Sequence, residues 1–124
     1  MSTETTTQTE ELTRLETQLN DMILEGRILE AFEKFYADDC VLQDGADVID
    51  GKPANLERET MFVEGLTDLR AVKLHDVAIG HDVTMSTWHF DYTHAEWGSN
   101  TYDQVAVRKW RNGQIVDERF YKSA

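Results

Sequence analysis

The hydrophobic period changes partway along this chain, and that change limits its possible folds more than any other feature. In the first half, apolar residues recur every three or four positions. Leu12, Leu15, Leu19, Met22 and Ile23 predict a first amphipathic helix, which Gly26 ends or bends. Ile28, Leu29, Phe32, Phe35 and Tyr36 predict a second. A short β-type run, Cys40-Val41-Leu42, and a turn-rich stretch, Asp44-Gly45-Ala46-Asp47, follow. Asp50-Gly51-Lys52-Pro53 then opens a third helix, with Pro in the first turn, where a missing N–H is harmless. Leu56, Thr60 and Val63 share one face of it, and Gly65 is a C-terminal stop.

The second half reads as strands. The β-rich runs are Leu69 to Ile79, Val83 to His94, Thr101 to Trp110 and Gln114 to Lys122. Between the last two lies Asn112-Gly113, the strongest short hairpin signal a sequence offers. Helices followed by a meander predict an α+β domain, with three N-terminal helices packed on a curved antiparallel sheet and a pocket between the layers. At 124 residues the chain suits a single domain, expected over residues 11–124, after a Thr- and Glu-rich lead-in at residues 1–10 expected to be disordered.

The formal net charge is −12, and residues 1–60 hold 15 of the 24 acidic side chains against 5 of the 12 basic ones. Such a surface repels phosphate backbones and anionic lipid, so neither nucleic acid nor membrane is expected as a partner. Cys40 is the only cysteine, which rules out an internal disulfide and a Cys-rich zinc site and suits a cytoplasmic location. His89-x-Asp91 with His94 nearby suggests a metal triad, but His94 has the wrong strand parity, and no metal or cofactor is expected.

Two stretches carry a resemblance. Phe35-Tyr36-Ala37-Asp38-Asp39-Cys40-Val41-Leu42-Gln43-Asp44 resembles a signature of the NTF2-like superfamily, and Trp110 to Tyr121 resembles the ending of many SnoaL-like proteins. The resemblance implies a cystatin-like cone. It leaves function open, because that fold hosts isomerases, cyclases, epoxide hydrolases, dehydratases and non-enzymatic domains. By position Asp44 matches the general base of ketosteroid isomerases. The oxyanion donors of that chemistry are missing, since their positions fall at Asn20 and at Ala106 or Val107. The Arg-x-Asp pair of limonene-type epoxide hydrolases is absent as well. SnoaL-like cyclases use a carboxylate near the chain end, which draws attention to Glu118.

The last hairpin can be paired from its turn. A plain two-residue turn sets Trp110 opposite Ile115 and Val107 opposite Glu118. One face then carries Asp103, Val105, Val107, Val116, Glu118 and Phe120, and its apolar character makes it the expected cavity wall; a one-residue bulge inverts the assignment. On that reading Glu118 is a desolvated acid among Val and Phe side chains. The opposite face, with Tyr102, Trp110, Ile115 and Tyr121, is the expected outer surface. The resemblance implies a homodimer through that surface. In Thr87-Trp88-His89-Phe90-Asp91-Tyr92 the aromatics share one face, so Trp88, Phe90 and Tyr92 are expected to line the pocket with Phe120. The reverse register makes His89 and Asp91 the pocket pair instead.

Two functions stay open. One is a cofactor-free acid–base enzyme (isomerase, cyclase or hydratase) acting on a small apolar compound, with Asp44 and Glu118 as its carboxylates. The other is a non-catalytic ligand-binding or dimerisation domain.

Overall fold

The computed structural model describes the backbone of residues 3–123 and the side chains of residues 8–123. Three helices lead: α1 (Thr3–Leu24), α2 (Ile28–Phe35) and α3 (Lys52–Gly65). Six strands complete the fold: β1 (Tyr36–Asp44), β2 (Asp47–Asp50), β3 (Leu66–Ile79), β4 (Val83–His94), β5 (Gly98–Arg111) and β6 (Gln114–Lys122). Among the described residues no helix is long and apolar enough to cross a membrane.

Helix α1 starts well before its apolar stripe. Residues 3–10, expected as a disordered lead-in, form its first turns, while residues 1–2 lie outside the described residues. Nothing upstream of Leu12 breaks a helix, and Gln8 Nε2 donates to the His81 carbonyl at 2.7 Å, fastening this end to the β3–β4 turn. Leu12, Leu15, Leu19 and Met22 are buried with Phe32 and Phe35 of α2 and with Cys40, Trp110 and Ile115 of the sheet. Cys40 is free, fully covered, and its thiol is pushed up to about 11 by burial, so it packs as a small hydrophobe.

The sheet runs β2-β1-β6-β5-β4-β3. It is mixed rather than purely antiparallel, because β1 joins β6 in parallel. The Asp44–Asp47 stretch is a hairpin, with Asp44 opposite Asp47 and Gly45 at φ 62°. The Asn112-Gly113 turn takes positive φ at both residues, as a hairpin of the type I′ sort requires.

That last hairpin departs from plain pairing. Trp110 faces Ile115 as expected, but Lys109 then faces Asp117 and Arg108 faces Glu118. A one-residue bulge on β6 therefore shifts everything beyond it. Glu118 and Phe120 still point inward, but their neighbours on β5 are Arg108 and Ala106 rather than Val107 and Val105. Tyr102, Trp110 and Ile115, expected on the outer surface, are inner-face residues; only Tyr121 of that set is exposed.

At the α3–β3 junction, His94 is 3% exposed. Its Nδ1 accepts from the backbone N–H groups of Glu96 and Trp97, and its Nε2 lies 3.0 Å from the Met61 carbonyl. Two N–H donors on Nδ1 place the ring proton on Nε2, which donates to Met61. The ring covers Gly65 so closely that a Cβ there would sit 2.0 Å from His94 Nε2. Gly65→Ala should therefore destabilise the domain by about 1–3 kcal/mol, measured as a lower urea midpoint. An unchanged midpoint would show that His94 swings aside without loss.

Candidate functional site

Between the helices and the inner face of the sheet lies a pocket of about 580 Å³. Strand alternation builds its back wall. Trp88 and Tyr92 are buried on β4, and Phe90 stacks on Trp88 with 5.8 Å between ring centroids. The aromatic face of β4 is thus the inner one. On the other face His89 pairs with Asp103 and Asp91 with Arg70, away from the pocket. Tyr102 and Phe120 continue the wall, and Phe62 of α3 meets Tyr92 edge-on at 5.3 Å.

The floor is ionic. Arg108 Nε donates to Glu118 Oε2 at 2.6 Å, and Tyr36 Oη donates to Glu118 Oε1 at 2.6 Å. Arg108 Nη1 also reaches Glu16 Oε2 at 2.9 Å and Asn20 Oδ1 at 2.8 Å. Thr84 Oγ1 closes the far side on Glu16 Oε1 at 2.7 Å, and itself accepts from Trp110 Nε1 at 2.8 Å. Glu16, Arg108 and Glu118 are each at most 2% exposed. Burial works against the Arg108 charge, but Glu118 and then Glu16 outweigh it, and the guanidinium is held more firmly protonated than usual. Burial and the Glu118 charge push the Tyr36 hydroxyl well above the ordinary tyrosine range, so it stays a donor.

At the mouth, Asp44 accepts from Lys122 Nζ at 2.9 Å. Arg58 lies 3.9 Å from Asp44 and 3.8 Å from Asp47, close enough to pair in charge but beyond hydrogen-bond reach. Glu59, the next residue of α3, also lines the pocket. Among the described residues it has neither a hydrogen bond nor an ion pair. Desolvation, and then the Glu118 charge, push its carboxyl up to about 7. Beside it the Tyr92 and Tyr102 hydroxyls lie 3.1 Å apart. One proton serves that bond, which leaves one O–H free for a ligand.

The raised Glu59 carboxyl has a consequence for stability. The folded protein holds this proton between about pH 4.5 and about 7, where the unfolded chain has released it. Stability on this account falls as pH rises through that window, since ionising Glu59 in place is unfavourable. Glu59→Gln should therefore be more stable than the parent at about pH 8 and close to it at about pH 5, as read by thermal melts. Equal melts at both values would remove the desolvation account.

All six residues singled out from the sequence line this pocket: Asp44, Trp88, Phe90, Tyr92, Glu118 and Phe120. The surroundings of Glu118 differ from the expected Val and Phe side chains, because the β6 bulge sets Arg108 beside it. Asp44 is both a turn residue and part of the pocket mouth. The sequence reading missed Glu16, Asn20 and Glu59. Each had a visible signal: Glu16 and Asn20 interrupt the apolar stripe of α1 at i, i+4 spacing, and Glu59 lies between Leu56 and Val63 on the inward side of α3.

Fold and site together define an α+β protein with a pocket of aromatic walls over a buried ionic floor. The family model of the SnoaL-like domain matches residues 17–118, and the chain belongs to that family. No functionally curated protein matches it in sequence. Among solved structures, a candidate SnoaL-like polyketide cyclase [carbohydrate phosphatase] from Mesorhizobium loti superposes with TM-score 0.80 at 23% identity, over 89% of this chain and 97% of that one. An NTF2-like protein of unknown function from the same organism gives 0.75 at 17% identity, over 94% of each chain. A candidate isomerase from Rhodopseudomonas palustris gives 0.69 at 17%, over 92% of this chain and 90% of that one. At these identities the likeness establishes the fold alone.

Proposed function

We propose that this protein binds a ring-bearing small molecule between its aromatic walls and moves a proton on it without a cofactor, with Glu59 as the acid–base group. The observation that carries the reading is the position of Glu59. It is a carboxyl without a partner among the described residues, it faces an aromatic pocket, and it is poised near neutrality.

The chemistry follows from the geometry. Ionised Glu59 takes a proton from a carbon next to a carbonyl, the free O–H of the Tyr92–Tyr102 pair donates to the carbonyl oxygen as charge gathers there, and neutral Glu59 returns the proton to a second carbon. Glu118, with both oxygens engaged by Arg108 and Tyr36, serves as the anchor of the floor. Asp44, braced by Lys122, shapes the mouth. The candidate cyclase and candidate isomerase among the structural neighbours are compatible with a proton-transfer reaction. The binding-only alternative draws on the fact that Tyr36 and Arg108 spend their hydrogen bonds on protein groups.

A direct test is deuterium uptake from heavy water into the acidic C–H of a panel of aryl and cyclic ketones, followed by proton NMR. Faster uptake with the protein supports the enzyme reading. Ketones that bind in the pocket without faster uptake would sink it in favour of the binding module.

The outer sheet face supports self-association. Met85 lies opposite Val107, and Val105 opposite Tyr121, which leaves a contiguous apolar patch on that face. We place a twofold dimer there, which light scattering would reveal as twice the chain mass. The buried free thiol of Cys40 is in keeping with a reducing, cytoplasmic setting.

A further inference from the structure

The charges around the pocket are unevenly matched. Three cations line it, Arg58, Arg108 and Lys122, and each already faces carboxylates. Arg108 has Glu16 and Glu118, Arg58 has Asp44 and Asp47, and Lys122 has Asp44. The buried Glu16–Arg108–Glu118 cluster by itself carries one negative charge in excess. Glu59, once ionised, adds another; it has no ion pair among the described residues, and Arg58 and Lys122 act on it only at longer range, too weakly to offset desolvation and Glu118. The field of the whole chain has the same sign, at −12. The walls, meanwhile, present aromatic faces, which attract positive charge through their quadrupoles. Such a pairing already exists at the mouth, where Lys122 Nζ sits 4.6 Å from the centre of the Tyr102 ring.

A neutral ligand would leave the ionised form of Glu59 without an ion pair, and an anion would add repulsion. We propose that the ligand of this pocket is an organic cation, a ring-bearing amine or quaternary ammonium whose nitrogen pairs with Glu59 between the aromatic walls. This departs from the class of compound expected from the sequence, a small apolar molecule, by giving the ring-bearing ligand a positive charge, and it rests on the same pocket as the proposed proton transfer. A bound cation also ionises Glu59, so the base form is populated at neutral pH once ligand is present.

The test uses three probes of similar shape and different charge: benzyltrimethylammonium, its uncharged isostere neopentylbenzene, and phenylacetate. Binding is followed by NMR shifts of the pocket residues in the parent protein and in Glu59→Gln. The ammonium should bind roughly ten-fold or more tighter than either other probe. Its affinity should rise from about pH 6 to about pH 8 as Glu59 loses its proton. No histidine lines the pocket, and its other charged groups, Asp44, Glu118, Arg58, Arg108 and Lys122, are already ion-paired, so this window isolates Glu59. Glu59→Gln should abolish the pH dependence and weaken the ammonium by about ten-fold at the higher pH, with the neutral probe unaffected. Equal binding of the isostere or of phenylacetate, or an ammonium that binds Glu59→Gln as well as the parent, would overturn the proposal. Charge selectivity without any ketone exchange would refute the catalytic reading alone, and exchange without charge selectivity would refute this one alone.

Discussion

Arg108→Met should destabilise this domain by about 3–5 kcal/mol, the largest effect expected of any single substitution outside the hydrophobic core. Two buried carboxylates, Glu16 and Glu118, would lose the one guanidinium that faces them both. Desolvated charge without a partner is far more costly than the intact cluster. The same side chain ties α1 to the sheet through Asn20 as well as Glu16, so its loss loosens the helix that covers the core. Arg108→Lys should recover only part of the loss, because a single ammonium cannot reach Glu118 through one nitrogen and Glu16 through another as the guanidinium does. Urea melts at neutral pH measure both effects. A loss below about 1 kcal/mol for Arg108→Met would mean that the carboxylates find protons or water at no great cost.

Glu59→Gln should lower catalysed ketone exchange by about two to four orders of magnitude and leave the fold intact. The amide keeps the shape of the side chain and can neither take nor return a proton. Because Glu59 bonds to no other described side chain, its replacement removes chemistry without removing an anchor. Glu118→Gln gives the contrasting pattern: it takes a charge away from Arg108, so its loss should appear first in the melt. Full exchange activity in Glu59→Gln would move the proton-transfer role to another group.

The fold was legible because its elements are written in local signals. The switch from a helical period to alternation marked helices and strands, Asn112-Gly113 marked the last turn, and the Phe35–Asp44 and Trp110–Tyr121 stretches resembled known family segments. The aromatic wall was legible for the same reason, since Trp88, Phe90 and Tyr92 alternate without interruption. The ionic floor was not. Its members come from α1, β1, β4, β5 and β6, and Glu16 lies 92 positions from Arg108, so no local pattern joins them. The bulge at Val116 was equally hidden. It depends on how β6 fits both β5 and the parallel strand β1, and a shift of one residue decides which β5 side chains meet Glu118. Glu59 escaped attention because a glutamate on a helix reads as solvated until the opposite wall of a pocket is in place.

The claim on which the proposed chemistry turns is that Glu59 holds its proton near neutrality. Carbon-detected NMR of the Glu59 carboxyl, assigned by comparison with Glu59→Gln and followed across the neutral range, measures it directly. A midpoint of about 7 is the result predicted by desolvation in the pocket beside Glu118. A midpoint near 4.3, roughly the value of an exposed glutamate, would contradict it.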